Sequence, residues 1–193
     1  MPDRIKPTSE RVPIPQPASR EDLFQRNFTP TNRLVREKTY LPIIAKAFAK
    51  VGLPPHLGVA IARAESQFDP SIMNLTGGDL ERGGSVGLGQ MSMMTAEALG
   101  YTGNRDGLKN PELNAALMAA LCVANSRRKD CHSLEDLICM YNSGKAMEKA
   151  PSVTKDKYLR TVKVYMDLYE IKCAPYIPEG VEFIKLARKH PRV

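Results

Sequence analysis

The chain has 193 residues, room for one domain with a tail, since single domains commonly run to about 100–200 residues. Hydrophobic residues make up 42% and charged residues 25%, an ordinary globular balance, and no apolar run approaches the roughly 18 residues of a membrane span. The net charge of +7 suits an anionic partner, but Lys and Arg are spread along the chain, and the one cluster, Arg127-Arg128-Lys129, falls at an expected helix C-terminus where cations are favourable anyway; specific nucleic-acid binding is not expected.

Residues 1–36 are polar and carry Pro2, Pro7, Pro13, Pro15, Pro17 and Pro30, which reads as an extended N-terminal arm without a core of its own. The start, Met-Pro-Asp-Arg-Ile-Lys, has no apolar segment behind it and does not read as a secretory signal peptide. A helix is expected from Thr39, which can cap, with Pro42 in the first turn, Leu41, Ile44, Ala45 and Phe48 buried, and Gly52 as the stop. A second helix opens at Pro54-Pro55. Leu57, Ile61, Ala64 and Phe68 mark its apolar face, and Asp69 before Pro70 ends it. Residues 71–86, with Gly77-Gly78 and Gly83-Gly84, read as an irregular loop in which only short strands fit. A short helix follows from about Ser92 to Leu99, closed by Gly100.

Asn110-Pro111 opens a long central helix with Leu113, Leu117, Ala120, Leu121 and Ala124 inward. Ser133-Leu134-Glu135-Asp136 resembles a capping box ahead of Leu137, Ile138 and Tyr141. The last long helix is expected from Thr154 to Ile171, with Tyr158, Val162, Tyr165, Met166 and Tyr169 on one stripe. Residues 173–193 form a tail with Pro175 and Pro178 and room for a short helix around Glu182 to Arg188. Cys122, Cys131, Cys139 and Cys173 show no Cys-x-x-Cys and no His at ligand spacing, so no metal or other cofactor is expected; whether the cysteines pair is left open.

Glu65 reads by itself as a surface residue at a helix end, yet its place is unusual for a carboxylate. It falls in the last turn of the second helix, in a column with Gly58, Ile61 and Ala62. Small and apolar neighbours desolvate it, and the negative end of the helix dipole opposes its charge. Both raise its pKa above the reference of about 4.3, which suits a general acid for glycosidic cleavage.

Downstream stand Gly87-Leu88-Gly89-Gln90-Met91, Thr95-Ala96, Leu99-Gly100, Asn110-Pro111-Glu112-Leu113-Asn114 and Met140-Tyr141-Asn142-Ser143-Gly144. With Glu65-Ser66, and in this order, they resemble the soluble lytic transglycosylase family, relatives of goose-type lysozyme, over roughly Tyr40 to Tyr169. The resemblance implies a mainly α, lysozyme-like catalytic domain at 37–172 with a small irregular or β-containing loop. It implies that Glu65 acts as acid and then as base on the bond between N-acetylmuramic acid and N-acetylglucosamine, closing a 1,6-anhydro ring without water. It places Gln90, Tyr141 and Asn142 in the sugar-binding cleft. Met91, Tyr158 and Ser66 are further candidates for substrate contact, although Ser66 is expected first to bond backbone at the helix end.

Two features depart from the family pattern. Gly89 stands where relatives carry a Met that packs on the saccharide, and the stretch from Asn74 to Gly87 is longer than usual, with Asn74 where relatives often have Ser. A two-carboxylate hydrolase would need a partner at roughly 5–9 Å from Glu65, for which Asp69, Asp79 and Glu81 are the nearest in sequence. The alternatives are therefore a hydrolytic muramidase on the same fold and a structural tail or adaptor protein that retains it. The expected partner is peptidoglycan. The proline-rich arm suggests docking to other proteins of a delivery machine: first a phage virion, as a tail-associated component acting in the host periplasm and cell wall, and second a secretion or conjugation apparatus.

Overall fold

The computed structural model describes residues 30–75, 84–179 and Phe183. The first helix, α1 (Pro30–Lys50), begins nine residues ahead of the expected Thr39 start. Thr39 does not cap; its hydroxyl donates to the Val35 carbonyl at 2.9 Å inside the helix. Pro42 is likewise internal, where a missing N–H normally weakens a helix. Tertiary contacts outweigh that cost. Arg36 is ion-paired with Asp69, and buried Glu37 accepts hydrogen bonds from the Tyr169 hydroxyl at 2.8 Å and Lys172 at 2.6 Å. The polar stretch 30–36 is thus a helix rather than an extended arm, while residues 1–29 lie outside the described residues.

The second helix, α2 (Pro55–Ser66), starts on a proline in its first turn, as the sequence indicates. It ends on two non-glycine residues in left-handed conformation, Gln67 (φ 51°) and Phe68 (φ 64°), whose N–H groups bond the Arg63 and Ala62 carbonyls at 3.1 and 3.5 Å. Three two-residue strands follow: β1 (Met73–Asn74), β2 (Ser85–Val86) and β3 (Met91–Ser92). They pair antiparallel in that order, Met73 opposite Val86 and Val86 opposite Met91. Of the loop glycines, Gly77, Gly78 and Gly83 lie outside the described residues.

Helix α3 (Met93–Ala98) is capped by Ser92, which accepts from Thr95 N at 3.2 Å. Helix α4 (Pro111–Ser126) is capped by Asn110, which accepts from Leu113 N at 2.8 Å. Its buried stripe runs through Asn114, Ala115, Met118, Ala119, Cys122 and Asn125. Ala124, expected inward, is exposed, because the face that meets the core is turned toward the polar Asn114 and Asn125 positions, which hydrophobicity alone does not mark. Helix α5 (Leu134–Ser143) begins with the capping arrangement: Ser133 accepts from Asp136 N at 3.1 Å, and Asp136 reaches back to accept from His132 N at 3.0 Å. The final helical stretch opens as a π-turn (Thr154–Leu159) and continues as α6 (Arg160–Cys173), so it is not regular from Thr154 onward. The tail with the expected helix at Glu182 to Arg188 lies outside the described residues, Phe183 excepted.

Helix α2 is the hub, packed between α1 and α6. Leu57, Val59, Ala60, Ile61 and Ala62 are completely buried, together with Phe48, Phe68, Leu88, Met118 and Ile138 from around it. Each large apolar side chain so buried contributes about 1.5–3 kcal/mol. The architecture is the mainly α one expected, with the small sheet set against it. The four cysteines are free and buried. Among the described residues no helix is long and apolar enough to cross a membrane.

Candidate active site

A cleft of about 290 Å³ opens between the C-terminal end of α2, the sheet and α5. Glu65 lines it, as do Gln90, Met91, Tyr141 and Asn142 from the sequence-based set. Glu65 reaches this position because α2 stops one residue later. The left-handed pair at Gln67 and Phe68 turns the chain away and leaves the last helical turn at the cleft wall.

Ser66 lies outside the cleft. It is fully buried, and its hydroxyl meets the Ala62 carbonyl at 3.1 Å and the Leu88 carbonyl at 2.8 Å. That second bond ties the end of α2 to the Gly87–Gln90 turn, so Ser66 fixes the distance between Glu65 and the opposite wall. Asn114 holds the same turn from below. It is fully buried; its amide oxygen accepts from Gly89 N at 2.9 Å, and its amide nitrogen donates to Val86 O at 3.0 Å and Leu108 O at 2.8 Å. Gly87 sits at φ 80°, and a side chain there would run into Asn114 and the Leu108 carbonyl. Three backbone groups thus converge on one side chain.

Gly89, the departure from the family pattern, has a steric cause. A Cβ at this position would fall on the Met118 side chain and on the Tyr141 hydroxyl. Met118 on α4 occupies the room next to Gly89, and Tyr141 uses the absent side chain to donate to the Gly89 carbonyl at 2.8 Å. Burial first, and then the charge of Glu65, hold the Tyr141 phenol well above its usual pKa, so it stays a neutral donor.

Tyr158 comes from the π-turn. Its hydroxyl is buried and close enough to Glu65 for that carboxylate's charge and hydrogen bond to act on it. Burial and then Glu65 push its pKa well above the ordinary value. Tyr158 is not among the residues that line the cleft. Gln90, at φ 48°, spends its amide nitrogen on the Ile72 and Gly87 carbonyls at 3.2 and 3.1 Å, so its amide oxygen is the atom left for a ligand. Asn142 is the reverse: its amide oxygen accepts from the buried Thr154 hydroxyl at 2.8 Å, which leaves its amide nitrogen to donate.

Sequence reasoning did not single out Ser85, Ser92, Thr95 and Leu121 as cleft residues, nor Asn114 and Thr154 as their supports. Ser92 and Thr95 carry a local sign, since a Ser three residues before a Thr marks a helix start whose hydroxyls share one side; here they bond each other at 2.8 Å. Ser85 and Thr154 carry none, because their partners lie across the fold.

Among the described residues Glu65 is the only carboxylate lining the cleft. Asp69 is turned away, paired with Arg36 and accepting from the Ser71 N–H at 2.9 Å. Asp79 and Glu81 lie outside the described residues. Among the described residues no group of His, Cys, Asp and Glu side chains is placed to hold a metal ion. A single acid among neutral amides, hydroxyls and phenols suits a neutral, polyhydroxylated ligand and proton transfer at one point.

No curated protein matches the chain. The family described as "Transglycosylase SLT domain" matches residues 42–160, the span that carries the whole cleft. That match supports a lytic-transglycosylase type of function on peptidoglycan. The chain belongs to the transglycosylase SLT domain family.

Proposed function

We propose that the cleft cleaves the β-1,4 bond between N-acetylmuramic acid and N-acetylglucosamine without water. Glu65 protonates the glycosidic oxygen as its bond to the muramyl C1 breaks. The Glu65 carboxylate then takes the proton of the muramyl C6 hydroxyl, whose oxygen bonds C1 and closes the 1,6-anhydro ring. The proton that Glu65 loses in the first step it regains in the second, so the enzyme ends as it began. The observation that carries this reading is the single carboxylate among the described cleft residues. A two-carboxylate mechanism needs a second at roughly 5–9 Å.

The surroundings support the same reading. Gln90 offers an acceptor and Asn142 a donor, the pair an acetamido or hydroxyl group needs. Tyr141 and Tyr158, both kept neutral, lie close enough to Glu65 to feel its charge and add no competing charge of their own. The test is mass spectrometry of products from purified peptidoglycan. Anhydromuramyl ends, one water lighter than hydrolytic products, are expected, and Glu65→Gln should release none. Reducing ends would instead establish a muramidase and direct attention to Asp79 and Glu81.

For its setting we propose local opening of the wall by a phage virion, with a secretion or conjugation apparatus second. The proline-rich stretch ahead of α1 supports docking to a larger assembly. Immunoblotting of purified virions and of envelope fractions separates the two.

A further inference from the structure

We infer that the surface from Lys145 to Arg160 binds the carboxylates of the peptide stems borne by the glycan strand, so that the protein grips peptide-bearing strands more tightly than bare ones. The inference rests on the proposed glycan substrate. Its first support is the distribution of charge. Among the described residues outside 145–163, Lys and Arg balance Asp and Glu, twelve against twelve. Within 145–163 six cations face only Glu148 and Asp156. The whole positive surplus of the described domain therefore sits in one short stretch.

Five of these six cations are also left without salt bridges. Lys163 pairs with Glu135 at 2.8 Å, and elsewhere Lys109 pairs with Asp106 and Arg128 with Asp130. Lys145, Lys149, Lys155, Lys157 and Arg160 have no carboxylate within 4.0 Å among the described residues, and all but the half-buried Lys155 are exposed. Exposed cations without a salt bridge of their own are open to an external anion.

The third support is position. Lys145 follows the cleft residue Asn142 by three residues, past the helix stop at Gly144 (φ 70°). Lys155 and Lys157 lie on the π-turn that Thr154 bonds to Asn142. Arg128 donates to the Gly144 carbonyl at 2.8 Å and brings the end of α4 to the same place. The basic stretch thus starts three residues beyond a cleft residue and is bonded back to it through Thr154. A strand lying in the cleft presents, beside each muramyl unit, a stem with free carboxylates. Neutral amides and hydroxyls read the sugars, and the cations at the end read the stems. Each exposed contact is weak and salt-sensitive, so the effect comes from several acting together.

The experiment measures co-sedimentation of the full chain carrying Glu65→Gln, which binds without cutting. It uses purified sacculi and the same sacculi stripped of stems by an amidase. A second protein adds Lys145→Gln, Lys149→Gln, Lys155→Gln, Lys157→Gln and Arg160→Gln, with its unfolding temperature checked against the parent. The expected result is about tenfold weaker binding to stripped than to intact sacculi, a similar loss for the neutralised protein on intact sacculi, and no further loss when both changes are combined. In about 0.5 M salt the preference for intact sacculi should vanish. Equal binding of the parent to intact and stripped sacculi overturns the inference, as does an equal loss on both substrates after neutralisation, which would mark a glycan or wall-polymer contact. Failure of the glycan-cleaving reading shows separately, as no products from the native protein whatever its binding preference.

Discussion

Arg63 and Glu65 stand two residues apart near the end of α2, and residues at that spacing look in different directions. Their surroundings are opposites. Arg63 donates to the Tyr169 hydroxyl at 2.6 Å, lies 4.4 Å above the Tyr165 ring and comes within 3.8 Å of Glu37, itself bonded by Tyr169 and Lys172. Every charge there meets its opposite, and three helices are fastened together. Around Glu65 no other described cleft residue carries a charge; the lining is one phenol, amides, hydroxyls and the apolar Met91 and Leu121. The comparison teaches how one helix serves both needs: paired charges secure the scaffold on one side, and on the other a carboxylate faces a cleft whose described lining holds no second charge.

The largest effect should come from removing that proton carrier. Glu65→Gln should lower turnover about 10²–10⁴-fold, roughly 2.7–5.5 kcal/mol of barrier, while leaving the urea midpoint unchanged or higher. A clear loss of stability in this variant would break the contrast between the two sides of α2. Next is Asn114→Leu, which strands Gly89 N, Val86 O and Leu108 O; urea titration should show a loss of about 3–5 kcal/mol.

On the scaffold side, Glu37→Ala should cost about 3 kcal/mol at neutral pH, because Arg63 and Lys172 lose their counter-charge. The pH dependence has a definite sign. Burial alone would raise the Glu37 pKa, but hydrogen bonds from Lys172 and Tyr169, with the charges of Lys172 and Arg63, bring it below the ordinary carboxylate value. Its stabilisation is therefore present above the unfolded pKa of about 4.3 and is lost as the pH falls through the lower folded value. Thermal scans from neutral to acid pH should show a steeper decline for the native chain than for Glu37→Ala. The smallest effect is expected from Tyr158→Phe. The hydroxyl acts on Glu65 rather than on the scaffold, so stability should change little, while turnover falls roughly tenfold, about 1.4 kcal/mol. Unchanged turnover would demote Tyr158 to packing.

Much of the cleft was readable in the sequence because its key residues sit at ends of local elements. Glu65 precedes a helix stop, Gln90 lies in a glycine-bounded turn, and Tyr141-Asn142 ends a helix before Gly144. Ser66 was readable as a helix-end residue, but its bond to Leu88 was not, since that partner is set by the fold. Asn114 was opaque for the same reason: within an apolar helix it looks like an interruption, and its partners lie up to 28 residues back. The early start of α1 was hidden because its polar first turns are held by Asp69, Tyr169 and Lys172, all distant in sequence. The π-turn was missed because 3.6-residue periodicity runs across it with little phase error.

Met118 filling the place beside Gly89 has a consequence for how such a chain changes over generations. The two positions are locked together. A methionine does not fit at 89 while Met118 and the Tyr141 hydroxyl hold that volume, and a shrinkage at 118 alone leaves a void beside a bare backbone. Either change made alone leaves a clash or a cavity. The glycine therefore acts as a ratchet, and sequences descended from this one should keep the pair or replace both members together.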